Sequence, residues 1–293
     1  VTAASALAAA DPAGGPGLLG SLLLGLVEGL TEFLPVSSTG HLIVVNRLLG
    51  NDDPTYEVAI QVGAISAIVV LYGRQLLQAL RGILGVGRGP GTGPRGVNLL
   101  ILLFVAALPA AVVGLLFDDW IESVLFSATT VATTLVLGGV LLLVLERWLT
   151  GRTAQGEPPS HEIEGMSLRQ ALWIGLFQCL ALVPGTSRSG ATIAGALLLG
   201  FRRTAAAEFS FLVGLPILYG ACVLKAAKDW ERISGPLLVD FLVGAGASFV
   251  TALLIVGPFV RFLQRHTFAV FAWYRIGAGL VLFALIGAGL LGG

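Results

Sequence analysis

Apolar residues run along this chain in blocks of membrane-crossing length, not with the period of an amphipathic helix or strand. A bilayer-spanning helix needs about 20 apolar residues at roughly 1.5 Å each. Six stretches meet that length, near Tyr56–Tyr72, Val97–Phe117, Leu125–Leu145, Ala207–Leu224, Leu237–Phe259 and Phe268–Leu291. Two further apolar regions are interrupted. Leu18–Leu49 is broken by Glu28, Glu32, Pro35, a Ser-Ser-Thr-Gly run and His41, and Leu168–Leu199 by Pro184, Gly185 and the run Thr186-Ser187-Arg188-Ser189-Gly190. Each has two short apolar arms around a polar, helix-breaking middle. Arms of about 10–15 residues are too short to span twice, but a pair can enter and leave by one face. Irregular backbone at that depth is tolerated where it is buried in protein or lines a wet cavity. The pattern therefore predicts an all-α integral membrane protein with six full spans and four short helices in two re-entrant hairpins.

The broken regions resemble each other. Gly25-Leu26-Val27-Glu28-Gly29-Leu30 lies over Gly175-Leu176-Phe177-Gln178-Cys179-Leu180, and Pro35 matches Pro184 after a one-residue gap. Glu57 with Val62-Gly63 matches Glu208 with Val213-Gly214 at a constant offset of 151. Each half is one hairpin followed by three spans, so the chain divides into repeat 1 (residues 18–150) and repeat 2 (residues 166–293) of one membrane domain. An odd number of crossings per repeat inverts the second copy. Inverted repeats with broken helices place a binding site at their interface.

Composition agrees with the pattern. The 293 residues are 56% apolar and 12% charged with mean hydropathy +0.91, against about 25% charged residues in soluble domains. Net charge is zero, which argues against a basic nucleic-acid binder. The first seventeen residues lack the basic start of a signal peptide and read as a loose tail. Cys179 and Cys222 lie in apolar stretches and read as small buried hydrophobes. Eleven arginines (74, 81, 88, 95, 147, 152, 169, 202, 203, 261 and 265) fall on one side of the predicted spans. Four basic residues (Arg47, Lys225, Lys228 and Arg232) fall on the other, with most of the acids. The positive-inside rule then puts the arginine-rich loops in the cytoplasm and the first hairpin's opening outside. Small-residue positions at Gly244, Gly246, Gly277 and Gly279 point to close helix contacts, within the chain or across a homodimer.

The remaining charges carry the chemistry. Glu28 and Glu32 are one helical turn apart on one face. Two carboxylates so placed in an apolar segment make sense if they hold a cation or if one is protonated. Mg²⁺ or Ca²⁺, completed by water and phosphate, suits them. His41 follows in the same region and suits acid/base or orienting work. The second segment, with Ser187, Ser189 and Thr192 around Arg188, has the composition of a phosphate cradle opening a helix. A Thr in a membrane helix also bonds back to its own backbone, which is the alternative for Thr192. Arg188 reads as the deepest cation; its alternative is an ion pair with Glu28, Glu32 or Glu208. Arg275 also lies within a span and is expected to snorkel to the cytoplasmic end. Gln178 stands where Glu28 stands in the first copy, so one half supplies negative groups and the other a positive one.

Glu28-Gly-Leu-Thr-Glu32-Phe-Leu-Pro-Val-Ser-Ser-Thr-Gly-His41 and Pro184-Gly-Thr-Ser-Arg-Ser-Gly-Ala-Thr192 resemble the two signature motifs of the bacterial undecaprenyl-diphosphate phosphatases of the bacitracin-resistance type. The likeness extends through Phe177–Leu182 and the Glu208-Phe-Ser-Phe-Leu run. It implies hydrolysis of a C55 polyprenyl diphosphate to the monophosphate with a divalent cation. The lipid carrier of cell-wall peptidoglycan synthesis would thereby be recycled at the outer face of the bacterial cytoplasmic membrane. On this resemblance Glu28 and Glu32 are the metal ligands, and Arg188 with Ser37, Thr39, Ser187, Ser189 and Thr192 holds the diphosphate. Ser38 attacks with His41, roughly one helical turn on, moving the proton, or Ser38 donates a hydrogen bond to phosphate while His41 or a glutamate activates a water. The rival reading is a transporter or flippase of a phosphorylated polyprenyl lipid, since inverted repeats with broken helices are also transporter architecture.

Overall fold

A computed structural model describes residues 15–49, 54–84, 94–156, 159–235 and 237–290. The N-terminal tail to residue 14, Asp52, Asp53 and Arg88 lie outside the described residues. Among the described residues the fold is all α, with one isolated bridge pairing His161 and Phe201. In chain order the helices are α1 (Gly17–Thr31), α2 (Ser38–Leu49), α3 (Pro54–Leu71), α4 (Gly73–Ile83), α5 (Pro94–Leu125) and α6 (Ala128–Ala154). They continue with α7 (Leu168–Gln178), α8 (Arg188–Leu198), α9 (Arg203–Lys228), α10 (Trp230–Ser234), α11 (Leu238–Leu263) and α12 (Ala269–Gly287).

Five of these, α5, α6, α9, α11 and α12, are long and apolar enough to cross a membrane. A sixth span exists if α3 and α4 count as one, and they are bent by 74° at Tyr72. The expected loop carrying Arg74 and Arg81 is thus helical. Leu77, Leu80 and Ile83 are exposed on α4 while Ala79 is buried. The long helices present Phe104, Leu141, Leu254 and Trp273 outward, the surface of a multi-pass membrane protein, where apolar side chains face lipid.

Both interrupted regions break where their sequence predicts. α1 ends at Thr31, and α2 restarts at Ser38 after the Pro35 turn. α7 runs into a tight 3₁₀ turn at Cys179–Leu182, and α8 restarts at Arg188 with Ser187 as its N-cap. Ser187 Oγ accepts the Gly190 N–H at 3.1 Å, satisfying one of the free donors of the first turn. The residues before the restarting helices, Ser37 (φ 70°) and Ser187 (φ 72°), are the two non-glycine residues with positive φ among those described. That conformation is costly for an L side chain and persists only where its surroundings hold it.

Glycine sets how the short arms seat. A Cβ on Gly25 would lie 2.2 Å from the Gly244 carbonyl oxygen of α11, and one on Gly175 would lie 2.4 Å from the Ala106 oxygen of α5. α1 accordingly packs on α11 and α7 on α5, while α6 packs on α12 and α3 on both α9 and α11. Gly244 and Gly279 make close contacts inside the chain, to Tyr56 and to α6 respectively. Beneath the hairpin tips Phe33 meets Phe211 edge-on at 5.3 Å, within the largest buried cluster.

Candidate functional site

The two hairpin tips meet. Glu32, the C-cap of α1, and Arg188, the first residue of α8, form an ion pair: Arg188 Nη2 and Nε donate to Glu32 Oε1 at 3.1 and 3.3 Å. The other Glu32 oxygen accepts the Ser38 hydroxyl at 2.8 Å. Arg188 Nη1 donates to the Ser210 carbonyl at 2.6 Å, which aims the guanidinium from α9. Gly214 makes room for it, since a Cβ there would lie 2.9 Å from the guanidinium. Both partners are buried, at 9% and 5% side-chain exposure. Apolar surroundings strengthen such a pair and make either charge costly alone.

A cavity of about 170 Å³ opens beside this chain, lined by Glu32, Ser37, Ser38, Thr39, Ser187 and Arg188 from the two motifs. Gln61 of α3, Ala181, Gly185 and Leu218 complete the wall. A charged pair, four hydroxyls and an amide gathered around one cavity have the chemistry to receive a small, multiply charged anion.

Other expected residues stand around the cavity, not in its wall. Glu28, one turn before Glu32, is fully buried, and neither of its carboxylate oxygens has a hydrogen-bond partner among the described residues. Ser189 donates to the Leu34 carbonyl at 2.9 Å and so ties one hairpin tip to the other. The Thr192 hydroxyl lies 2.9 Å from the Arg188 carbonyl oxygen and 2.7 Å from Ser210 Oγ, inside the contact of α8 with α9. Its backbone-bonding alternative is therefore the geometry found. His41 Nδ1 lies 2.7 Å from the Ser37 carbonyl oxygen, and Nε2 lies 2.6 Å from the Tyr274 hydroxyl. A carbonyl only accepts, so Nδ1 carries a proton, and in the neutral imidazole Nε2 accepts from the Tyr274 hydroxyl. Ser38 is joined to Glu32 and not to His41. Glu57 accepts from Asn46, and neither Glu57 nor Glu208 lines the cavity.

Arg275 does not snorkel. It is 2% exposed and donates to five backbone carbonyls. Thr186 O at 2.8 Å, Gly185 O at 3.2 Å and Pro35 O at 3.3 Å belong to the hairpin tips. Thr134 O at 3.1 Å and Leu135 O at 3.5 Å belong to α6. Gly138 supplies the space, since a Cβ there would lie 2.2 Å from Nη2. Hydropathy placed Arg275 near a helix end, but the tips reach in to meet it. Its signal in the sequence was the Tyr274-Arg275 pair inside an apolar helix. Gln61, among Ile60, Val62 and Ala64, is the polar residue of the cavity wall that the motifs left out.

Comparison with known proteins agrees with the two motifs. The family described as "Bacitracin resistance protein BacA" matches residues 21–281. The chain is 46% identical over 273 residues to the undecaprenyl-diphosphatase of Parvibaculum lavamentivorans, covering 91% of this chain and 96% of that one. It is 45% identical over 278 residues to the undecaprenyl-diphosphatase of Nitrosomonas europaea, covering 94% and 96%. Undecaprenyl-diphosphatase 2 of Shewanella oneidensis is 38% identical over 268 residues, covering 90% and 97%.

Proposed function

The chain belongs to the bacitracin resistance protein BacA family, and from that premise we propose that it hydrolyses undecaprenyl diphosphate to undecaprenyl phosphate and inorganic phosphate. The observation that carries the reading is the Arg188–Glu32–Ser38 chain joined across the two hairpin tips at the cavity. Phosphoryl transfer asks the protein for positioning and charge neutralisation, and these residues supply both. Arg188, Ser37, Thr39 and Ser187 hold the diphosphate. Ser38 Oγ attacks the terminal phosphorus as its proton passes to Glu32. The bond to the bridging oxygen breaks, and the polyprenyl monophosphate leaves. Water then attacks phosphorus, the bond from phosphorus to Ser38 Oγ breaks as Oγ takes back the proton held on Glu32, and phosphate leaves carrying both hydrogens of the water. His41, held between Ser37 and Tyr274, orients the loop that presents Ser38.

A divalent cation, Mg²⁺ or Ca²⁺, fits the donor set. Glu28 has two buried oxygens without partners, and Glu32 stands one turn on. Among the described residues no three His, Cys, Asp or Glu side chains converge on one point, so water and phosphate oxygens would complete the shell. Such an ion, when bound, neutralises the phosphate charge.

Packing supports the inverted repeat. Exchanging the halves carries α1 on α11 into α7 on α5, and returns α6 on α12 and α3 on α9 to themselves. Gly25 and Gly175 each meet a backbone carbonyl of the other half. Leu18, Leu22, Leu26 and Leu30 on α1 are exposed, as are Leu168, Leu172, Leu176 and Leu180 at the same offset of 150. With arginines marking the cytoplasmic side, the protein sits in the bacterial cytoplasmic membrane and its cavity opens to the outer face, where it recycles the lipid carrier for cell-wall synthesis.

Purified protein in detergent, given undecaprenyl or farnesyl diphosphate, should release inorganic phosphate. Binding without release would favour the carrier reading.

A further inference from the structure

Gln61 is the polar residue of the cavity wall that neither motif contains. It sits in α3 in the run Ala59-Ile60-Gln61-Val62-Gly63-Ala64, and its amide makes no hydrogen bond with any described residue. Its direction follows from helix geometry. Gly63 lies two residues on, roughly 200° around the helix, and a Cβ there would lie 1.9 Å from the Ala245 carbonyl oxygen of α11. That face of α3 is pressed against another backbone, so Gln61 points the opposite way, into the cavity.

The second half of the chain provides a control. The offset of 151 that pairs Glu57 with Glu208 and Gly63 with Gly214 pairs Gln61 with Leu212, which is 0% exposed in the largest core cluster. An apolar residue is what the fold takes at this place when no cavity faces it. Gln61 is half-buried at the cavity wall, so its amide is turned to the polar space beside α3 and is placed to meet a polar ligand there.

We propose that Gln61 is a substrate-binding residue whose amide N–H groups donate to non-bridging oxygens of the diphosphate. The proposal rests on the phosphatase reading and adds a third wall to the site. Arg188 already directs three of its five N–H groups at Glu32 and the Ser210 carbonyl, and the hydroxyls all come from the hairpins. Gln61 brings two neutral donors from a long helix fixed by backbone contact, and its carbonyl is left to hold a water. Preorganised donors of this kind need no rearrangement as charge moves in the transition state.

The test uses the full chain in detergent, with phosphate release from farnesyl diphosphate and inhibition by imidodiphosphate as the two readouts. Gln61→Leu installs the residue of the matching position. It should lower kcat/KM by about tenfold, the loss of one hydrogen bond to a charged group, and raise the inhibition constant of imidodiphosphate in step. Gln61→Glu, the same size but a carboxylate facing an anion, should fall further. A merely structural role predicts the reverse for leucine, which suits a membrane helix. Gln61→Leu within twofold of the wild type in both readouts would overturn the proposal, whether or not the glutamate variant folds. If the wild type itself releases no phosphate, the phosphatase reading fails; direct binding of imidodiphosphate to the wild type and to Gln61→Leu then still decides the role of Gln61.

Discussion

Replacing Arg275 with methionine removes the guanidinium that holds both hairpin tips while keeping an unbranched side chain in its place. Three of its five acceptors are loop carbonyls, those of Pro35, Gly185 and Thr186. The other two lie in α6, on Thr134 and Leu135. Each loop carbonyl left unsatisfied costs about 1–3 kcal/mol, and against this stands the several kcal/mol no longer needed to keep a guanidinium out of water. The carbonyls win, because they outnumber the single charge and stay buried after the change. The expected net loss is about 2–4 kcal/mol of stability. The effect on turnover should be larger than that loss suggests. Ser37 and Ser187 sit at positive φ beside these carbonyls, and a misplacement of about 1 Å at a reacting group costs on the order of 100-fold. Arg275→Met is therefore expected to melt earlier in detergent and to lose about 100-fold in kcat. Arg275→Lys, with three donors but no fork, should recover more stability than activity. An Arg275→Met protein with wild-type melting and wild-type kcat would refute the idea that this residue holds the tips.

Ser38→Ala should abolish phosphate release while the protein remains folded; substantial residual turnover would give the attack to water. Chelation with EDTA should stop the reaction, and Mg²⁺ or Ca²⁺ should restore it; indifference to the chelator would remove Glu28 and Glu32 as metal ligands. Gly25→Ala and Gly175→Ala place a methyl 2.2 and 2.4 Å from a carbonyl oxygen of the opposing half. Each should cost about 1–3 kcal/mol, read as a matched fall in melting temperature, and a change in only one would count against equivalent seating of the two arms.

Much of this was legible in the chain because a membrane imposes few rules and enforces them strongly. The long apolar blocks became long helices, and the breaks at Pro35 and Pro184 came where proline, glycine and hydroxyl residues stop a membrane helix. The meeting of Glu32 with Arg188 fits the likeness between the two broken regions, since two such hairpins can meet at their tips. What hydropathy hid was depth and direction. Arg275 looked close enough to a helix end to reach water, yet the loops come to it. His41 lies three residues from Ser38, but α2 turns the imidazole toward Tyr274 on a distant helix. Thr192 follows the arginine by one turn, which faces it into the contact with α9. Arg74 and Arg81, in an expected loop, lie on a helix bent 74° from α3. Gln61 was visible as a polar residue in an apolar run, and only the cavity gives it meaning.

The central claim is that the Arg188–Glu32–Ser38 chain performs phosphoryl transfer. Its most direct test is the initial rate of phosphate release from undecaprenyl diphosphate by purified Arg188→Ala protein, set against the wild type under the same conditions. Loss of a clamp on transferring phosphoryl groups should lower the rate by on the order of 1,000-fold; a variant that stays within tenfold of the wild type would contradict the account.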